Sequence, residues 1–288
     1  MLFRSLQVTV VDRSATPIGT FDPDVGAFLA DAVRGLGIEL VLGDGVAEIG
    51  VRDGRACAVV TASGRELPAD LVVLGLGVRP AVALAQQAGI PLGPSGGIAV
   101  DARMRTQVEG VWAAGDCVES VHRLSGQRVV VALGTHANKQ GRVAGINLGG
   151  GYATFPGVIG TAITQVCDLE AARTGLSSVE ADEAGYAYVT AVVDSTTKAG
   201  YMPGAQPVRM KMLAERRSGR LLGAQIVGRQ GAGKRIDALA IAIWNGMSVD
   251  EVLGLDLSYA PPFSPVWDPV LITARKAQEA VEADLSVC

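Results

Sequence analysis

The ten residues Leu71–Pro80, LVVLGLGVRP, decide the fold. Leu71–Leu76 is a continuous apolar run with β-branched residues, the pattern of a strand buried on both faces of a parallel sheet. It runs into a Gly75-x-Gly77 turn closed by Pro80, and the spacing that follows predicts a short helix over Ala81–Ala88. Strand, glycine turn and helix in that order belong to an α/β fold.

The flanks agree with this reading. Upstream, Leu6–Val11 reads as a strand ending at Asp12, and Val25, Phe28, Leu29, Ala32, Val33 and Leu36 fall at helical spacing within Asp22–Gly37. Three β-branched runs follow at Ile38–Leu42, Val46–Val51 and Ala56–Thr61, with Asp53-Gly54 as the hairpin turn between the last two. Downstream, Val111–Ala114 reads as another buried strand that stops at Gly115-Asp116, and a helix is expected over His136–Asn147. The glycine run Gly149–Gly151 is the expected domain boundary, giving residues 1–150 and 151–288. Beyond it come a strand near Ala162–Val166, one or two helices through Gly185, and strands near Tyr188–Val193, Val208–Ala214 and Leu221–Val227. Helices are then expected over Lys234–Asn245, over Val249–Leu253 behind a Ser248-x-x-Glu251 capping box, and over Pro269–Ala283. Meander strands followed by helices make this half α+β.

Composition narrows the function. With 49% hydrophobic and 19% charged residues among 288, the chain is too apolar for a disordered polymer. A net charge of −4 offers no bulk attraction to nucleic acid or to an anionic membrane, and no apolar run reaches the roughly 18 residues of a spanning helix. Cys57, Cys117, Cys167 and Cys288 lack Cys-x-x-Cys spacing, and the chain opens without a secretory signal pattern, so reduced thiols in a cytoplasmic protein are expected. Cys57 and Cys167 sit in apolar strand patterns, where thiols serve as filler. His122 and His136 have no second ligand at metal-binding spacing, and no metal site is assigned.

Asp12 ends a parallel-type strand, where dinucleotide-binding folds place an acid that accepts a hydrogen bond from a ribose 2′-hydroxyl; alone it reads equally as a solvent-facing strand end. Taken with LGLGVRP (Leu74–Pro80), VWAAGDC (Val111–Cys117) and ALGTHANKQGRVAG (Ala132–Gly145), it resembles the pyridine nucleotide-disulfide oxidoreductases, flavoproteins with two dinucleotide-binding domains. The resemblance implies a partial Rossmann-like NAD/FAD-binding region followed by an α+β dimerisation domain, with FAD and NAD(P)H as cofactors. It implies that Gly75 and Gly77 lie close to the nicotinamide nucleotide, and that Asp116 binds the ribityl chain of FAD. The helix start around Thr135 and Ala137 then faces the pyrimidine end of the flavin, its other reading being an ordinary amphipathic helix start. Asp12 favours NADH over NADPH, a preference that Arg13 blurs.

The segments AGYMPGA (Ala199–Ala205) and DLSYAPPFSPVWDPV (Asp256–Val270) resemble the coenzyme A-disulfide reductases and the related NADH oxidases and persulfide reductases. The resemblance places Tyr201 and Tyr259 on the two tyrosines that the dimer partner brings to the active cysteine. A phenol that titrates near ~10 is a proton donor at neutral pH, whereas the plainer reading of both residues is loop packing. Some coenzyme A-specific members carry a basic residue where Trp267 stands. A homodimer through the C-terminal domain and a small thiol or disulfide substrate are implied.

None of the four cysteines matches the catalytic one of the family, and the first FAD-binding glycine loop is not found. Only the C-terminal part of the family is therefore expected here, a truncated chain inactive alone. The alternatives are a C-terminal subunit completed by a separately encoded N-terminal half, or a non-catalytic dimerisation module. Leu6–Val11 is expected to leave an open edge that invites partners or aggregation.

Overall fold

A computed structural model describes residues 6–286 of the chain; Cys288 lies outside them. The chain divides into two compact units, residues 75–160 and the remainder. The division differs from the expected boundary at 150, because Asp22 and Asp24 in the first segment are bonded to the sheet formed by the last segment.

The first unit starts with a parallel pair, β1 (Thr9–Asp12) and β2 (Glu39–Leu42), joined through α1 (Pro23–Arg34). Pro23 at the first helical position and Asp24 in the first turn suit the start of α1. A three-stranded meander follows, β3 (Val46–Arg52), β4 (Arg55–Thr61) and β5 (Glu66–Pro68). Its first turn is Asp53-Gly54, with φ of 51° and 74°, the left-handed pair a tight hairpin requires.

In the second unit, α2 (Ala83–Gln87), the short pair β6 (Ser120–Val121) and β7 (Arg128–Val129), and α3 (Gly134–Leu148) surround a core of Ile98, Val100, Met104, Val118, Val143 and Phe155. Glu119 is 1% exposed, and its carboxylate accepts both the backbone N–H (2.5 Å) and the hydroxyl (2.7 Å) of Ser95, pinning the glycine-rich loop there.

The first unit resumes with β8 (Ala162–Val166), β9 (Leu169–Gly175), α4 (Ser178–Glu183), β10 (Tyr188–Thr196), β11 (Pro207–Glu215), β12 (Leu221–Gly228), α5 (Ile236–Trp244), α6 (Val249–Leu253) and α7 (Pro269–Leu285). The five strands form one antiparallel sheet in the order β10-β11-β12-β9-β8. The Ser248–Glu251 capping box is present in full. Val25, Leu29 and Val33 of α1 share a buried cluster with Leu169, Ala171 and Val227 of this sheet. Val25 and Leu29 are fully buried, each worth about 1.5–3 kcal/mol.

Ions reinforce that packing. Asp22, 2% exposed, accepts from Ser178 N–H and Ser178 Oγ, both at 2.9 Å, and pairs with Lys211 Nζ at 3.0 Å. Lys211 also reaches Asp24. Arg173 donates to Thr20 O at 2.7 Å and pairs with Glu180. Burial pushes the Glu180 carboxyl up, but the hydrogen bond and charge of Arg173 and the N–H of Ser177 outweigh it, so it titrates below its ordinary range.

Three expectations are corrected. Leu71–Leu76 forms no strand and is not buried: Leu71, Val73 and Leu76 are 76%, 83% and 81% exposed. A strand needs a neighbour to satisfy its backbone groups, and none of the described strands pairs with it. Val111–Ala114 is half-buried and carries a single bridge, Trp112 to Arg105. Of the one or two helices expected between Val166 and Gly185, α4 is present, while Leu169–Gly175 before it is a strand paired on both sides, by β12 and β8. Its Leu, Glu, Ala and Arg residues are good helix formers, and pairing within the sheet overrides that local preference.

Candidate functional site

In the second unit the Gly115-Asp116 turn lies against the start of α3. Gly115 has a φ of +93°, and a Cβ built there meets the Cβ of Ala137 at 3.8 Å. Gln140 of α3, 2% exposed, fixes the turn: its Oε1 accepts the Gly115 N–H at 2.8 Å and its Nε2 donates to Ser120 Oγ at 2.9 Å. Asp116 is thereby held exposed, with no hydrogen bond or ion pair among the described residues. At the head of α3, Leu133 provides no side-chain cap; its carbonyl accepts the N–H groups of His136 (2.9 Å) and Ala137 (3.1 Å), and those of Gly134 and Thr135 have no acceptor among the described residues. His136 is half-buried, and burial pushes its titration down, leaving it neutral in that turn.

An open carboxylate beside uncapped helix N–H groups fits one edge of a flavin nucleotide. A carboxylate can accept from polyol hydroxyls, and free helix N–H groups can favour an electron-rich ring edge. Gln140, absent from the sequence expectations, is the residue that makes the arrangement rigid. Its position two turns into a helix after Gly-Asp gave no local sign of that role.

Asp12 ends β1 in the first unit, where Oδ1 accepts the Ser14 N–H at 2.8 Å. Arg13 is exposed and makes no ion pair among the described residues. Gly75 falls at the start of the second unit; a Cβ at Gly75 or Gly77 meets nothing within 4 Å, and Gly77 has a φ of +79°. Both glycines are exposed and open to close backbone approach.

Tyr201 and Tyr259, 58 positions apart, come together in the first unit. Tyr201 lies in the β10–β11 loop and Tyr259 in the α6–α7 loop, and Ala199 N–H donates to Pro261 O at 3.1 Å across the two. The phenol of Tyr259 is pushed above its ordinary value by desolvation and by the hydrogen bonding and charge of Tyr201. Both rings are open, at 77% and 47% exposure, with Phe263 and Trp267 exposed nearby in the same loop. Trp267 carries the guanidinium of Arg275 at 5.6 Å from its ring centre.

Other features fall outside these groups. A cleft of about 560 Å³ in the second unit is lined by Asp101, Arg105, Val108, Glu109, Trp112 and Arg128, and by none of the expected cofactor residues. Cys57 and Cys167 are exposed rather than buried filler, and Cys167 sits in a turn at φ +56°. Cys117 is half-buried beside Asp116, its thiol toward Ala114 O at 3.6 Å. Among the described residues no helix is long and apolar enough to cross a membrane.

Comparison with known proteins identifies the family. Residues 1–141 match the family model of the pyridine nucleotide-disulphide oxidoreductases, and residues 161–269 match the dimerisation domain of the same family. The two matches together take in residues 1–269, so the likeness is not confined to the dimerisation domain. A CoA-dependent NAD(P)H sulfur oxidoreductase of Pyrococcus furiosus is 40% identical over 94% of this chain and 61% of its own length. The coenzyme A disulfide reductase of Staphylococcus epidermidis is 28% identical over 96% and 61%. The chain thus spans about 61% of the length of these relatives. A solved NAD-dependent persulfide reductase from A. fulgidus superposes with a TM-score of 0.91 at 40% identity, over 96% of this chain and 52% of that one. With both family models matched and the fold shared, the chain belongs to the pyridine nucleotide-disulphide oxidoreductases, a family dependent on FAD and NAD(P)H.

Proposed function

We propose that the chain serves an FAD-dependent NAD(P)H oxidoreductase that reduces a small disulfide or persulfide, of the coenzyme A type, as a homodimer through residues 151–288. The observation that carries the reading is the meeting of Tyr201 and Tyr259 in two exposed loops of the domain matched to dimerisation. When bound, FAD and NAD(P)H supply hydride and electron transfer. The residues of this chain bind, orient and move protons.

In this reading Asp116 accepts from the polyol of FAD, and the α3 start at Thr135 and Ala137 faces the electron-rich edge of the ring. Asp12 accepts from a ribose 2′-hydroxyl and repels a 2′-phosphate, which favours NADH, and Gly75 and Gly77 let the backbone approach the nicotinamide nucleotide. Two-electron reduction of a disulfide breaks the S–S bond and leaves two thiolates that take up protons. A neutral phenol supplies one of them, and the upward shift of Tyr259 keeps it neutral. The guanidinium stacked on Trp267 puts a cation beside the position where some coenzyme A-specific members carry one, which supports an anionic substrate.

The test is steady-state NADH oxidation by the FAD-loaded protein, joined to the part of its relatives' length that this chain does not span, with coenzyme A disulfide, a persulfide, or oxygen as acceptor. Tyr259→Phe should lose up to about 10²–10⁴ in rate with the sulfur acceptors and leave oxygen turnover near the parent value. Equal rates with sulfur acceptors would turn the reading toward an oxidase that passes electrons to oxygen.

A further inference from the structure

The loops of Tyr201 and Tyr259 are held by one guanidinium. Arg235 closes the 3-10 turn Gly233–Arg235 that leads into α5, and its side chain is 12% exposed. Its Nη2 donates to Thr197 O at 2.9 Å, four residues before Tyr201, and to Phe263 O at 3.0 Å, four residues after Tyr259. Its Nε donates to Asp268 Oδ2 at 2.9 Å and its Nη1 to Gly231 O. Asp268 is itself fixed: it accepts from Ser264 Oγ at 2.9 Å and caps α7 by accepting the Val270 N–H at 2.9 Å.

We propose that Arg235 is a positioning residue that sets the mutual geometry of Tyr201 and Tyr259 by binding the backbone of both their loops at once. The rings cannot set that geometry themselves. They stand largely in solvent, and the Ala199-to-Pro261 bond fixes only one point between the loops. A planar fork with five donors in fixed directions can hold the carbonyls of both loops and a carboxylate together, whereas the point charge of a lysine on a flexible stem cannot. Asp268 aims the fork, because its Oδ2, accepting from Arg235 Nε, orients the guanidinium plane from the head of the 17-residue helix α7.

What this spacing is for rests on the function proposed above; that Arg235 sets it does not. The test therefore reads the tyrosines directly in the whole protein, by NMR titration of ring-labelled tyrosine, with signals assigned through Tyr201→Phe and Tyr259→Phe. Tyr201→Phe removes the hydroxyl beside Tyr259 and should lower its titration part of the way toward the ordinary value near ~10, with the share due to desolvation left in place. Arg235→Lys should lower it to the same extent, and adding Tyr201→Phe to Arg235→Lys should shift it no further. In the FAD-loaded enzyme Arg235→Lys should also lower kcat with sulfur acceptors by about 10²-fold, the cost of a misplacement of roughly 1 Å, with KM little changed.

The proposal is overturned if Arg235→Lys leaves Tyr259 titrating as in the parent. Should Arg235→Lys lose its far-UV signal, Asp268→Asn takes its place. That variant keeps the shape and both carbonyl bonds while weakening the bond that aims the fork, so an intermediate shift supports the proposal and an unmoved titration overturns it. If the tyrosine variants turn over at the parent rate while Arg235→Lys still shifts Tyr259, the positioning role stands and the proton-donor reading falls.

Discussion

Replacing Lys211 by Met tests whether residues 6–74 and the five-stranded sheet are one folding unit. Lys211 is 6% exposed, and the partner that matters most is Asp22, at 2%. Removing the cation leaves the Asp22 carboxylate buried with only its two bonds to Ser178. Losing one partner of a buried pair costs about 3–5 kcal/mol, since the remaining charge stays desolvated. Asp24 adds little, because its side chain is 42% exposed and a pair so open to solvent contributes at most about 1 kcal/mol. With a urea dependence of about 2–3 kcal/mol per molar, Lys211→Met should lower the unfolding midpoint by about 1–2.5 M, while Asp24→Asn should lower it by less than about 0.5 M. Hydrogen exchange across the first turns of α1 should accelerate along with the sheet amides. Equal small shifts for the two variants, or faster exchange in α1 with an unchanged sheet, would refute the claim that this buried pair joins the segments.

Three further outcomes can be measured. Because the Glu180 carboxyl titrates below its unfolded value, its stabilisation is complete above the ordinary glutamate range and is lost as the pH falls through the folded-state value; acid-unfolding curves of Glu180→Gln should lack that part of the loss. Val73→Lys with Leu76→Lys places charges on a segment exposed by 83% and 81%, so light scattering should show less self-association at an unchanged Tm; an increase would mean the segment is covered in solution. Asp12→Asn removes the charge that repels a 2′-phosphate and should narrow the NADH-over-NADPH ratio of kcat/KM; an unchanged ratio would separate Asp12 from cofactor choice.

Much of this architecture is legible in local patterns. Asp53-Gly54, the Ser248–Glu251 box and the meander strands near Tyr188–Val193, Val208–Ala214 and Leu221–Val227 each carry their own signal, and each forms as read. The capping box Ser177-x-x-Glu180 starts α4 and was readable in the same way. The misses share one cause. Leu71–Leu76 has the composition of a buried strand, but burial is decided by neighbours that composition does not specify. Leu169–Gly175 has helix-forming residues, and its state is decided by the strands on either side. Tyr201 and Tyr259 were legible as motif positions, while Gln140 and Arg235 were not. A clamp made by a side chain on distant backbone leaves no periodicity and no short-range spacing.

The central claim is that the tyrosine pair serves the sulfur half of the reaction. Stopped-flow absorbance of the FAD-loaded protein separates the two halves, since NADH bleaches the flavin and a disulfide or persulfide restores its colour. The account predicts that Tyr201→Phe with Tyr259→Phe leaves bleaching by NADH within about twofold of the parent and slows the return of colour by up to about 10²–10⁴. Recolouring at the parent rate, or slowed bleaching instead, would contradict it.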